Sequence, residues 1–135
     1  DDARRSAIMP INRKYPLASL MSALRAYPMP PRRRITIEYT LIRGVNDSRA
    51  EAEALAKLLA SIPAKVNLIP MNPVADSPLD APPRETVQAF QDRLLELHVP
   101  TFVRTQRGDD IAAACGQLAL AGEPRKVKVR LPAVR

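Results

Sequence analysis

The reactive chemistry in this 135-residue chain is concentrated in one cysteine, one histidine and a few placed carboxylates and amides. The cysteine, Cys115, lies in residues 104–118, RTQRGDDIAAACGQL. A short apolar run, TFV at 101–103, precedes it, and Gly108 turns the chain. Asp109 and Asp110 stand where a short helix would begin, because carboxylates are favoured beside the unpaired N–H groups of a helix N-terminus. Gly116 stands where that helix would stop. Two readings of the thiol follow. Ile111, Cys115 and Leu118 share one helical face, so the cysteine can be a small buried apolar group. A lone cysteine on a connection after a strand can also be a nucleophile, although no His/Asn pattern accompanies it of the kind thiol hydrolases use.

Asn72 stands between Pro70 and Pro73 in LIPMNP. Its amide both donates and accepts, which suits a ligand carrying an ammonium and a carboxylate; the plain alternative is a turn-forming asparagine. Glu38 falls in the middle of an apolar run, facing either solvent or a polar cavity. His98 falls at a helix C-terminus, where a favourable dipole contact is the simpler role than catalysis. Arg32, Arg33 and Arg34 form either a solvated approach to a strand or a phosphate contact.

The elements that must position these residues are short, because 14 prolines punctuate the chain. Residues 1–15 read as charged and irregular. Pro16 opens a helix, and Leu17, Leu20, Met21, Leu24 and Tyr27 give it one apolar face until Pro28. Residues 35–42 read as a strand with Ile35, Ile37, Tyr39 and Leu41 on one face and Thr36, Glu38, Thr40 and Ile42 on the other. Arg43-Gly44-Val45-Asn46-Asp47 is a turn. Ser48 with Glu51 forms a capping box for a helix reaching about Ser61, with Ala52, Leu55, Leu58, Leu59 and Ile62 inward. A strand at 65–69, a proline-rich loop at 74–83, a helix from Pro82 or Pro83 with Val87, Phe90, Leu94 and Leu97 inward, and a strand at 100–104 complete the series. Alternation of this kind predicts an α/β fold, three parallel strands with crossover helices. Ligands in such sheets bind at the carboxyl ends of the strands, which here carry residues 43–47, Asn72, and the segment leading to Cys115.

The net charge of +7 and pI near 10.2 favour a polyanionic partner. Aromatic residues make up only 4%, which argues against a module built mainly on base stacking. No stretch approaches the roughly 20 apolar residues of a membrane span. A single cysteine excludes an internal disulfide framework and fits a reducing, cytoplasmic setting. With only 4 glycines there is no Gly-rich phosphate loop.

The run RTQRGDDIAAACGQLA resembles the C-terminal signature of the radical S-adenosylmethionine methyltransferases that methylate the C2 carbon of an adenine in large-subunit ribosomal RNA, the RlmN type. Three further stretches resemble the same family in the same order: IMPINRKYP at 8–16, RITIEY with GVND across 34–47, and KVNLIPMNP at 65–73. The resemblance covers roughly residues 1–120, leaving 121–135 as a basic C-terminal tail. The family's CxxxCxxC cluster motif has no counterpart here.

The resemblance implies the second half of a partial (β/α) radical-SAM barrel, with the cluster-binding half outside this chain. It implies that Cys115 takes a methyl group from S-adenosylmethionine as an S-methylcysteine intermediate, and that radical chemistry then carries that carbon to the adenine. It implies that Asn72 contacts S-adenosylmethionine. The implied cofactors are S-adenosylmethionine and a 4Fe-4S cluster whose ligands this chain lacks. The implied partners are ribosomal RNA, transfer RNA and an electron donor. Methylation at the C8 carbon by related enzymes, or an inert basic RNA-binding module, are the alternatives. The chain by itself is expected to be inactive, with an exposed edge on its first strand.

Overall fold

A computed structural model describes residues 1–72 and 77–104. Cys115, Asp109, Asp110 and the basic tail at 121–135 lie outside the described residues. The chain divides into two compact units, one holding Asp1–Pro28 and the other beginning at Met29.

In the first unit, residues 1–15 are ordered, where an irregular segment is expected from their charge. Helix α1 spans Asp2–Ile8, a 3-10 turn spans Pro10–Arg13, and helix α2 spans Leu17–Ala26. Asp1 caps α1 by accepting from the Arg4 N–H at 2.9 Å. The 3-10 turn is held by Asn12, which folds back onto α1. Pro16 is the residue before α2 and not its first helical position. Met21 is buried on the apolar face of α2, whereas Tyr27 lies past the last turn and is exposed.

The second unit is a three-stranded parallel sheet in the order β1-β2-β3, with β1 Ile35–Leu41, β2 Ala64–Pro70 and β3 Thr101–Val103. Helices α3 (Arg49–Leu59) and α4 (Arg84–Glu96) make the two crossovers. Ser48 starts α3 by accepting from the Glu51 N–H at 3.3 Å. Both crossovers step the same way along the sheet, and right-handed connections then bring both helices to one face. The register pairs Ile37 with Val66 and Tyr39 with Leu68, and Val66 in turn with Thr101. These positions face the helices. Leu41, Leu59, Val66, Leu68, Phe90 and Leu94 form the core, and the Tyr39 ring stacks on Phe90 at 5.5 Å between centroids. Arg93 of α4 donates to Glu53 of α3 at 2.7 Å and ties the helices together at the surface. Ile42 lies beyond the end of β1 and is buried, so it does not continue the polar row of Thr36, Glu38 and Thr40.

His98 follows α4 with φ +60, the left-handed region. Its N–H donates to the Leu95 carbonyl and the next N–H, of Val99, donates to the Leu94 carbonyl, both at 2.9 Å. That is a Schellman closure with a histidine where glycine is usual. The role of His98 is to turn the chain into β3.

Candidate active site

The strands end at one edge and deliver three connections there. After β1, the chain turns through Ile42-Arg43-Gly44-Val45-Asn46-Asp47. Asn46 holds this turn: its Oδ1 accepts from the Ile42 N–H and its Nδ2 donates to the Thr40 carbonyl, both at 2.8 Å. Tyr39 Oη donates to the Asn46 carbonyl at 3.1 Å, joining the turn to the core ring pair. Gly44 takes φ +65, which glycine adopts without a steric penalty. Its N–H donates to Asp47 Oδ1 at 3.1 Å. Arg43 pairs with Asp80 through its backbone N–H at 2.9 Å and its guanidinium at 3.3 Å, fastening the turn to the loop before α4.

After β2, the ladder continues one residue further, with the Met71 N–H donating to the Leu41 carbonyl at 2.9 Å. Asn72 follows immediately and is half-buried. It therefore stands at the carboxyl edge on a backbone fixed by its neighbour's ladder bond. After β3, the Arg104 N–H donates to the Leu68 carbonyl at 2.8 Å, and the chain leaves the sheet from the same edge.

The second feature is the sheet face turned away from α3 and α4. Thr36, Glu38 and Thr40 are exposed on β1, Lys65 and Asn67 lie half-buried on β2, and Phe102 is 59% exposed on β3. The register places Glu38, Asn67 and Phe102 in one row across the three strands. A carboxylate, an amide and an aromatic ring in line offer charge pairing, a two-way hydrogen bond and a stacking surface. Glu38 is thus on the open face. The alternation Lys65, Asn67 against Val66, Leu68 carries the same signal in β2, which the reading of β1 alone does not complete.

The structure brings the turn after β1, Asn72 and the exit at Arg104 to one edge. Among the described residues no group of three or more His, Cys, Asp and Glu side chains is placed to hold a metal ion. No helix among them is long and apolar enough to cross a membrane.

This frame is shared with solved structures. A radical SAM methyltransferase from Sphaerobacter thermophilus superposes with a TM-score of 0.81 at 47% identity, over 87% of this chain and 34% of that one. A domain of pyruvate-formate lyase-activating enzyme from Bacteroides vulgatus shares the fold alone, with a TM-score of 0.59 at 19% identity, over 78% of this chain and 62% of that one. The chain is thus a radical SAM α/β sheet of the partial-barrel class. In sequence it is 60% identical over 128 residues to the dual-specificity RNA methyltransferase RlmN of Sorangium cellulosum, and 55% identical over 123 residues to that of Anaeromyxobacter dehalogenans. Those alignments take in 95% and 91% of this chain but 33% of each relative, so the chain spans about a third of their length. No family model matches it. On these similarities the chain is a homologue of about a third of the length of the RlmN radical SAM methyltransferases.

Proposed function

We propose that this chain is the carboxyl-terminal third of a cytoplasmic radical SAM methyltransferase acting on RNA, with Cys115 as the residue that carries the methyl group and Asn72 as a contact to S-adenosylmethionine. The observation that carries the reading is the 60% identity to an RNA methyltransferase over 95% of the chain. The substrate is an adenine in large-subunit ribosomal RNA, methylated at the C2 carbon, with transfer RNA as a second substrate.

The residues present fit S-adenosylmethionine. Asn72 sits at the ligand-binding edge of a parallel sheet, and its amide can accept from the ammonium and donate to the carboxylate of the amino-acid end. The bound sulfonium supplies an electrophilic methyl group. Cys115 must lose its proton to accept it, since the thiolate and not the thiol is the nucleophile. The C2 carbon of adenine is not nucleophilic, so direct polar transfer from a sulfonium to that carbon fails. Holding the carbon first as a thioether on Cys115 answers that difficulty. The residues present do not fit a 4Fe-4S cluster, because the chain has one cysteine in total. The cluster ligands, and the contact to an electron donor, belong to the rest of the protein.

The test is the full-length protein carrying Cys115→Ala. It binds S-adenosylmethionine as the unaltered protein does, and mass spectrometry finds no methylated adenine in its RNA product. Methylation at the unaltered rate overturns the assignment.

A further inference from the structure

Residues 9–15, MPINRKY, are held by a single inward side chain. Asn12 is 1% exposed and saturated with partners. Its Nδ2 donates to the Asp2 carbonyl at 3.1 Å, to Asp2 Oδ1 at 2.9 Å and to Ser6 Oγ at 2.8 Å. Its Oδ1 accepts from the Arg5 guanidinium. Arg5 also donates to the Tyr15 carbonyl at 3.1 Å and Asp2 Oδ1 accepts from the Leu17 N–H at 2.8 Å, which pins the carboxyl end of the segment, while the Met9 N–H donates to the Arg5 carbonyl at 2.7 Å and pins its amino end. A satisfied buried polar network fixes one conformation, because leaving any member unpaired is costly.

What that conformation displays is unusual. Met9, Ile11 and Tyr15 are 48%, 51% and 51% exposed, and Arg13 and Lys14 are exposed between them. Lys14 Nζ stands 5.2 Å from the centre of the Tyr15 ring. No acidic residue occurs in the segment, and the nearby Asp2 carboxylate is already engaged as acceptor for Asn12 Nδ2 and the Leu17 N–H. Three large apolar side chains facing solvent are a cost that packing within this unit does not recover. Paired cations beside an exposed aromatic ring suit one class of polyanion: single-stranded or looped RNA, whose phosphates take the cations and whose unstacked bases take the ring.

We infer that Arg13, Lys14 and Tyr15, presented by the Asn12 anchor, form an RNA-docking surface. The inference rests on the RNA methyltransferase reading and adds to it a surface built from residues other than Cys115 and Asn72. Low overall aromatic content does not count against it, because the ring needed is a single one in a fixed place.

The experiment measures anisotropy of a fluorescein-labelled RNA hairpin with an unpaired adenine, titrated with the full-length protein from 50 to 200 mM KCl. Removing both charges in Arg13→Gln/Lys14→Gln weakens binding about tenfold and flattens the dependence of log Kd on log salt by about 1.5, the share of two phosphate contacts. Tyr15→Ala weakens binding about tenfold, while Tyr15→Phe keeps it. S-adenosylmethionine binding and the melting temperature stay at their unaltered values in all three variants, which separates docking from folding. Unchanged hairpin affinity and salt slope in the charge and alanine variants overturns the surface while leaving the methyltransferase reading in place. Failure of the unaltered protein to bind the hairpin overturns both.

Discussion

Val99 donates its backbone N–H to the Leu94 carbonyl at 2.9 Å, closing α4 around a left-handed His98. Leu94 is fully buried and Val99 nearly so, which supplies the apolar contact that accompanies such closures. A side chain at φ +60 is strained where glycine is not. His98→Gly is therefore expected to stabilise the fold by about 1 kcal/mol, the size of a relieved left-handed residue. Gly44→Ala is the opposite case: nothing lies within 4 Å of the added carbon, so its expected loss of about 1 kcal/mol is backbone strain alone. Chemical denaturation midpoints check both. A destabilised His98→Gly would show that the imidazole itself holds the closure.

Asn46 bonds two backbone groups that β1 leaves unpaired at its end. Asn46→Ala abandons the Ile42 N–H and the Thr40 carbonyl together, and is expected to cost about 2 kcal/mol. Asn46→Asp retains the acceptor for Ile42 but turns a carboxylate toward the Thr40 carbonyl, so it does not rescue. Denaturation midpoints with an unchanged m-value are the readout. Equal stability of the aspartate and unaltered proteins would show that the Thr40 bond is dispensable.

Much of the second unit is legible in the sequence because its signals are local. Period-two alternation separates Ile37 and Tyr39 from Thr36 and Glu38 onto opposite faces of β1, and Ser48 announces α3 with its own side chain. The first unit is not legible in this way. Its order depends on Asn12 and Leu17 reaching Asp2 across 10 and 15 positions, which no local pattern states. His98 hides for a related reason, since a left-handed position is signalled by glycine and here carries an imidazole. Asn46 reads as any turn asparagine until its two bonds are seen. The roles given to Asn72 and Cys115 come from family motifs, and residue type alone leaves both open. The structure adds the carboxyl-edge placement of Asn72, while Cys115 lies outside the described residues.

Glu53 has its carboxyl held below the ordinary value of 4.5, first by the hydrogen bond from Arg93 and then by that from Arg49. A carboxyl lowered by folding contributes stability above its unfolded-state pKa and loses it as pH falls through the folded-state value. Glu53→Gln is expected to melt below the unaltered protein at pH 7, and the gap is expected to close on acidification below about 4. Added salt narrows the gap at neutral pH, because the pair is exposed and screened. A gap that persists in acid would assign the loss to packing between α3 and α4 and not to charge.

Asn72 can hold an amino-acid end in two ways, and substitutions tell them apart. Its Oδ1 can accept from an ammonium, its Nδ2 can donate to a carboxylate, or both can act at once. Asn72→Ala removes either bond, and the expected loss of S-adenosylmethionine affinity is about tenfold or more, the worth of one hydrogen bond to a charged group. Asn72→Asp keeps an acceptor for the ammonium and adds an attractive charge, but replaces the donor with a group that repels a carboxylate. If the amide serves only the ammonium, the aspartate variant binds as well as the unaltered protein. If it serves the carboxylate, the aspartate variant is worse than alanine. Equilibrium dialysis of the full-length variants decides between these. RNA affinity is expected to stay constant in both, because the small ligand is assigned to the edge residue and the nucleic acid to Arg13 and Lys14. S-adenosylmethionine binding unchanged in the alanine variant would remove Asn72 from the site.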